Sequence, residues 1–330
     1  MDMISQLTDD LLIRILSRVP TKHVMATCCL SKRWLRLWSL VPKLDYADSS
    51  YSNENYATFT QFVYRSLMSN KAPVLETLDL NLGSKCQAID VGNWIETAVV
   101  CHRVQAIIAI IRPSNERGTM ISLPSSMYTC ETLETLELYD CFRLDVPFSV
   151  RLPSLKTLKL VDVDYADNKV SSLTSSGGPR NVFNLCVSIA PPLTYLGPPL
   201  LTRLLSGCPN LDFLLVHHDN LDVALMEHQL EFTSIETPES WKRPSSVPEC
   251  FLHSFEIFEW EGYKGRRGDL DMATYVITNA TRLKKSNFSS QPHDDSETDR
   301  IKRDLNSLQA ASPHLMFLSQ ERNKRQRVET

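Results

Sequence analysis

No long apolar run occurs in these 330 residues; the most extended lies near Ala106 to Ile111, far below the roughly 18 residues that a membrane helix needs. Net charge is scarce too: −4 over the whole chain gives no overall drive toward nucleic acid or an anionic membrane. The start, MDMISQLTDD, has neither a basic n-region nor an apolar h-region, so no secretory leader is expected and a cytoplasmic or nuclear address follows. Nine cysteines are scattered without a single CxxC. Cys101-His102 and His217-His218 are adjacent pairs, and neighbours on a strand point to opposite faces. Buried thiols in a reducing compartment are therefore expected, and no zinc site. Two sequons, at Asn279 and Asn287, carry no weight without a leader. No GxSxG, P-loop, GxGxxG or HExxH is found, nor a pair of carboxylates in a recognisable setting. The expectation is a non-enzyme without metal or cofactor, of two or three domains.

What the chain does have begins at Leu7. From there to Tyr46 the sequence reads as three short helices. Thr8 suits an N-cap, and Asp9 and Asp10 put negative charge in the first turn, where the helix dipole favours it. Leu11, Leu12, Ile15, Leu16 and Val19 share an apolar face. Pro20 ends the helix. Thr21 can cap a second helix carrying Val24, Met25, Cys28 and Cys29, and Ser31 a third carrying Trp34, Leu37 and Trp38. About forty helical residues are near the lower limit for independent stability. Their leucines and two tryptophans exceed what three short helices can hide, so part of the surface must meet either the following domain or another protein.

A polar stretch over Ala47–Phe59 enters a helix with Phe59, Phe62, Val63 and Leu67. Then a phrase recurs, leucine-x-x-leucine-x-leucine. It stands at Leu75/Leu78/Leu80, Leu133/Leu136/Leu138 and Leu155/Leu158/Leu160, with looser copies at Val104/Ile107/Ala109 and Leu211/Leu214/Val216. The steps from Leu75 to Leu155 are 29, 29 and 22 residues, within the window of about 20–29 typical of leucine-rich repeats, and the 56 from Leu155 to Leu211 leave room for one more, degenerate repeat. Apolar residues two apart share one face of a short strand, and stacking buries that face as a ladder. The intervening residues then form an open surface: Thr77 and Asp79; Thr135, Glu137 and Tyr139; Thr157 and Lys159; Phe213, Leu215 and His217. Of these, Thr77, Asp79, Glu137, Tyr139, Lys159, Phe213, Leu215 and His217 are the candidate target-binding set. Serine, glycine and proline interrupt the pattern over about 170–200, which reads as an inserted loop. The alternative for the whole array is a set of ordinary amphipathic strands in another α/β fold.

From Pro248 to Phe288 the order reads strand, tight charged turn, helix. Phe255, Ile257 and Glu259 alternate with Glu256 and Phe258, Trp260 and Tyr263 flank Gly262, and Asp269 can cap a helix with Leu270, Tyr275, Val276, Ala280 and Leu283. A helix over about 296–308 and a strand over 315–318 follow. Arg322, Lys324, Arg325 and Arg327 make the end basic, either an import signal or solvated tail charge.

Two further resemblances join that of the repeats. Leu7, Asp9-Asp10, the leucine-rich helix to Val19, Pro20, Ser31-Lys32-Arg33-Trp34 and Trp38 resemble a plant F-box. Thr8 stands where that family usually has proline, which weakens pre-organisation of the first helix. Phe258 to Gly265 resembles the signature of the FBD domain, which in plants follows an F-box and leucine-rich repeats. Together they identify the chain as resembling the F-box/FBD/leucine-rich-repeat family. The implied fold is α/β: an N-terminal three-helix F-box, a short irregular leucine-rich-repeat solenoid and a small α+β FBD domain. The implied boundaries are 1–46 F-box, 47–74 linker and helix, 75–218 repeats, 219–247 linker, 248–320 FBD and 321–330 basic tail. The resemblance implies binding of a Skp adaptor, and through it a cullin–RING ubiquitin ligase, by Leu7, Leu11, Ile15, Leu16, Pro20, Leu30, Trp34 and Leu37. It implies an unidentified target protein on the repeats, and no direct nucleic acid or membrane partner. Two alternatives remain open: a repeat scaffold acting outside a ligase, and an inactive member of the family.

Overall fold

The computed structural model describes residues 4–112, 120–161, 163–165, 203–217, 246–261, 263, 267–290, 295–311 and 316–321. The expected insertion over 170–200, most of the expected linker over 219–247, and Arg322, Lys324, Arg325 and Arg327 lie outside these residues. The chain divides into two compact units, Met1–Arg143 with Arg151–Thr157, and Leu144–Val150 with Leu158–Thr330.

The first unit opens with α1 (Asp9–Leu16), α2 (Thr21–Ala26) and α3 (Lys32–Leu37). Thr8 occupies the N-cap position of α1 with extended backbone, but its hydroxyl makes no capping bond. Ser31 likewise holds the N-cap of α3 without a side-chain bond. Thr21 departs from expectation. Pro20 takes the N-cap of α2 and Thr21 becomes its first residue, and the Thr21 hydroxyl accepts the backbone N–H of Asp45 at 2.8 Å. A residue that was to start a helix instead joins the helices to the first strand. Cys28 and Cys29 lie in a 3-10 turn, Thr27–Cys29, and not on α2. Leu12, Leu16, Val24, Leu37, Trp38 and Val41 form the core of this segment, with Leu7, Ile13, Val19, Met25, Cys28 and Trp34 packed around it.

There follow β1 (Lys43–Ala47), α4 (Tyr56–Ser69), β2 (Thr77–Leu82), α5 (Ala88–His102), β3 (Ala106–Ile111), β4 (Ile121–Ser122), β5 (Thr135–Asp140) and β6 (Phe142–Leu144). Strands β1, β2, β3 and β5 lie side by side in chain order, every pair parallel. Parallel neighbours need a crossover; α4 and α5 supply the first two, and a 3-10 turn over Ser125–Thr129 lies in the third. The recurring phrase explains the register. Leu44, Leu78, Ile107 and Leu136 are mutual partners, as are Tyr46, Leu80, Ala109 and Leu138. All eight are at most 2% exposed, and a fully buried aliphatic side chain contributes about 1.5–3 kcal/mol. The crossover helices close the other side. Phe59 meets Trp94 edge-on at 6.1 Å between centroids, with Val63, Leu67, Val91, Ile95 and Ala98 buried around them.

The second unit contains β7 (Thr157–Val161, its first residue belonging to the first unit), β8 (Asp164–Tyr165), β9 (Phe213–His217), α6 (Glu249–His253), β10 (Ile257–Glu261), α7 (Arg267–Asn279), β11 (Lys285–Ser290), α8 (Asp295–Ala311) and β12 (Met316–Glu321). Its sheet runs β7-β9-β10-β11-β12, with β9/β10, β10/β11 and β11/β12 parallel. The strands of the 248–320 stretch thus pair directly with β9. They also repeat the phrase: Phe255/Phe258/Trp260 and Leu283/Ser286/Phe288 are buried at the same positions. The alternation expected from Phe255 through Glu259 is shifted. Phe255 precedes the strand, so Phe258 and Trp260 point inward while Ile257 and Glu259 stay partly exposed. Trp260, Tyr263, Phe258 and Phe288 contact one another edge-on, with centroids 5.4–5.9 Å apart for four of the pairs, a geometry that suits their quadrupoles. Asp269 lies in the first turn of α7, not at its cap. Gly207 is fixed by contact: a Cβ there would stand 2.5 Å from the Val150 carbonyl oxygen.

Candidate partner-binding surfaces

The structure divides the eight adaptor candidates by burial. Leu16 and Leu37 are core residues, 4% and 0% exposed, whereas Leu11, Ile15 and Leu30 are 45%, 51% and 66% exposed. Pro20 is exposed, and Leu7 and Trp34 are partly buried against the core. Two exposed apolar residues absent from the set, Ile4 and Leu35, belong with the outward group. The i, i+4 step from Leu11 to Ile15 marks one helix face. Leu35, beside Trp34, was hidden because only the Trp34/Leu37/Trp38 face fits the helix period.

Charge fixes the mutual position of α1 and α3. Arg33 and Arg36 reach the two Asp9 carboxylate oxygens at 2.8 and 2.7 Å, and Arg33 also donates to the Leu7 carbonyl. The Arg33 hydrogen bond holds the Asp9 carboxyl below its ordinary value, against an upward push from burial, with Arg36 reinforcing it. The turn after α3 is tied to the C-terminal end of α4 by Lys71 N–H donating to the Ser39 carbonyl at 2.6 Å and Asn70 Nδ2 to the Val41 carbonyl at 2.9 Å.

A second surface is the open face of each sheet. In the first unit, Thr77 and Asp79 lie on β2 and Glu137 and Tyr139 on β5; all four are partly exposed. Between them runs β3, with Ala106, Ile108 and Ile110 outward, and Lys43 and Asp45 lie on the far side of β2. The candidate set missed these five because β1 carries no leucine phrase and β3 is apolar at every position. The Tyr139 hydroxyl donates to Glu137 Oε2 at 3.0 Å. Burial pushes the Asp79 carboxyl up, Asp45 adds to that, Lys43 opposes it, and Glu137 raises it further.

In the second unit, Lys159, Phe213 and Leu215 are partly exposed, with Lys159 Nζ 5.9 Å from the Phe213 ring centroid. Of His217 only the backbone, in β9, is described. The same face holds a pair outside the candidate set, Lys285 Nζ to Glu259 Oε1 at 2.9 Å.

Among the described residues no group of histidine, cysteine, aspartate and glutamate is placed to hold a metal ion, and no helix is long and apolar enough to cross a membrane. Burial pushes the Cys250 thiol up to about 12 and raises that of Cys208 as well, the opposite of what a nucleophile needs.

Comparison with known proteins gives two family matches, the F-box domain over residues 4–46 and FBD over 242–288. An F-box/FBD/LRR-repeat protein of Arabidopsis thaliana is 38% identical, covering 94% of this chain and 98% of the relative. A second so named from the same plant is 29% identical over 91% of this chain and 88% of its own length. An FBD-associated F-box protein, also from Arabidopsis thaliana, is 28% identical over 91% of each. These alignments run to 414, 403 and 396 positions, longer than the 330-residue chain, so the relatives carry internal sequence without a counterpart here.

Proposed function

This chain belongs to the plant F-box/FBD/LRR-repeat family, and from that premise we propose that it is the substrate-recognition subunit of a Skp–cullin–F-box ubiquitin ligase. The helical segment binds the Skp adaptor, and the open sheet face receives the target protein. The strands lying in chain order form an irregular leucine-rich-repeat solenoid, with F-box over 1–46, a linker and helix over 47–74, repeats over 75–218, a linker over 219–247, FBD over 248–320 and a basic tail over 321–330. The subunit is non-catalytic and acts in the cytoplasm or nucleus. It works by proximity: holding a target near the charged conjugating enzyme raises the effective concentration of the target lysine.

The observation that carries this reading is the outward apolar group Leu11, Ile15, Leu30 and Leu35 on a segment whose core is already filled by Leu12, Leu16, Val24 and Leu37. Binding energy concentrates in a few large side chains, each worth about 2 kcal/mol on truncation. The contact set is therefore Leu11, Ile15 and Leu30 with Leu35, while Leu16 and Leu37 shape the segment from within and Leu7, Pro20 and Trp34 border it.

Pull-down with a plant Skp adaptor tests the reading. Wild type should bind. Leu11→Asp with Ile15→Asp should lose binding at least thirtyfold while its circular dichroism and melting temperature match wild type. Failure of wild type to bind, or full binding by the double variant, would sink it.

A further inference from the structure

The target side of that reading can be narrowed by one strand. Outward Ala106, Ile108 and Ile110 on β3 alternate with Ile107, Ala109 and Ile111, so the strand is apolar on both faces. That pattern belongs to strands covered on both sides. Here the inner three are at most 2% exposed, whereas the outer three remain partly open.

Beside this stripe stand two carboxylates in register. Asp79 is the partner of Ile108 on one side and of Asp45 on the other. Neighbouring strands lie about 4.8 Å apart, and like charges so placed repel. Neither carboxylate takes an ion pair or a side-chain hydrogen bond among the described residues. Lys43, opposite Thr77 in register, attracts the Asp79 charge without forming an ion pair with it among the described residues, and Arg112 is engaged with Asn81 Oδ1 at 3.1 Å. The corresponding face of the second unit differs, since Glu259 there has Lys285 at 2.9 Å.

We propose that the β1–β2–β3 face docks a segment of the target protein that carries basic side chains next to aliphatic ones. This rests on the reading that the open sheet face receives the target. Aliphatic groups of the segment complete the cover over Ala106, Ile108 and Ile110. Its cations form charge-assisted hydrogen bonds with Asp45 and Asp79, which hold no ion pair among the described residues. An acidic segment is refused by the same two carboxylates.

Fluorescence anisotropy with the full chain tests this, using two fluorescein-labelled peptides, one alternating lysine and leucine and one alternating glutamate and leucine. The lysine peptide should bind at least tenfold more tightly. Asp45→Asn with Asp79→Asn should remove that preference, and the exposed control pair Glu54→Gln with Glu96→Gln should keep it. Equal binding of the two peptides, or equal loss in the control pair, overturns the proposal. So does a tenfold gain in peptide affinity on deleting residues 322–330, which would make the chain's own basic tail the occupant. Skp binding is measured on the same preparation. Adaptor binding without peptide preference removes only this inference, and peptide preference without adaptor binding removes the ligase reading and leaves the docking face.

Discussion

The helices over 9–37 and the parallel strands treat leucine in opposite ways. On the strands, Leu78, Leu80, Leu136 and Leu138 are at most 2% exposed. On and between the helices, Leu11, Leu30 and Leu35 are about half exposed or more. Both regions are rich in the same residue, so composition does not separate them. What separates them is whether the chain supplies the cover. Strands β1, β2, β3 and β5 each bring ladder residues to a neighbour, and α4 and α5 close the back. The short helices fill one core and then have nothing left of their own to lay over the outer face. Apolar surface of that kind on a compact segment marks an interaction site.

The sharpest way to break this comparison is to truncate one leucine from each side. Leu138→Ala should lower stability by about 2–5 kcal/mol, because it opens a cavity in a packed ladder; chemical denaturation reads this, and a change under 1 kcal/mol would show the ladder to be loose. Gly207→Ala should cost about 1–3 kcal/mol, since the new methyl meets the Val150 carbonyl oxygen and Val150 Cγ1, each at 2.5 Å. A melting temperature equal to wild type would remove the claim of a close approach there.

A smaller effect of opposite sign is expected at Asp79. Its carboxyl is raised above the ordinary value, so the folded state holds the proton more tightly than the unfolded one, and the penalty of its charge develops as pH rises through that raised value. Asp79→Asn should therefore stabilise the protein at pH 7 by about 0.2–1 kcal/mol, and the gain should fade as pH drops toward the unfolded value of 3.8. A gain that persists at pH 3 would point to something other than charge. Smallest of all, Leu11→Ala should change stability by no more than about 0.5 kcal/mol, while weakening adaptor binding about thirtyfold. If it destabilised the fold as Leu138→Ala does, the two regions would not differ as described.

Much of this was legible beforehand. The helical segment, the strands at Leu78, Ile107, Leu136, Leu158 and Leu214, and the helix holding Phe59 and Val63 all lie where period and punctuation put them. The strand at Lys43 was not read at all, and that at Ile257 was read with the wrong face inward. Val41/Leu44/Tyr46 and Phe255/Phe258/Trp260 fill the same buried places with valine and aromatics, so a search for leucine does not show which of their residues belong to the ladder. Lys285–Ser290 hides further, because the ladder position between Leu283 and Phe288 is Ser286, fully buried. Among site residues, Leu16 and Leu37 were grouped with Leu11 and Ile15 by their places in the F-box pattern, and a place in a sequence pattern carries no information about which side of a short helix its neighbours cover.

The sequence by itself determined where apolar residues recur, hence which segments become helix or strand and which strand face turns inward, because those follow from periods of 3.6 and 2. Only the tertiary structure decided which leucines stay uncovered and that Asp45 falls beside Asp79. Both depend on how segments separated by tens of residues come to lie against each other, and the spacing within any one segment does not specify that.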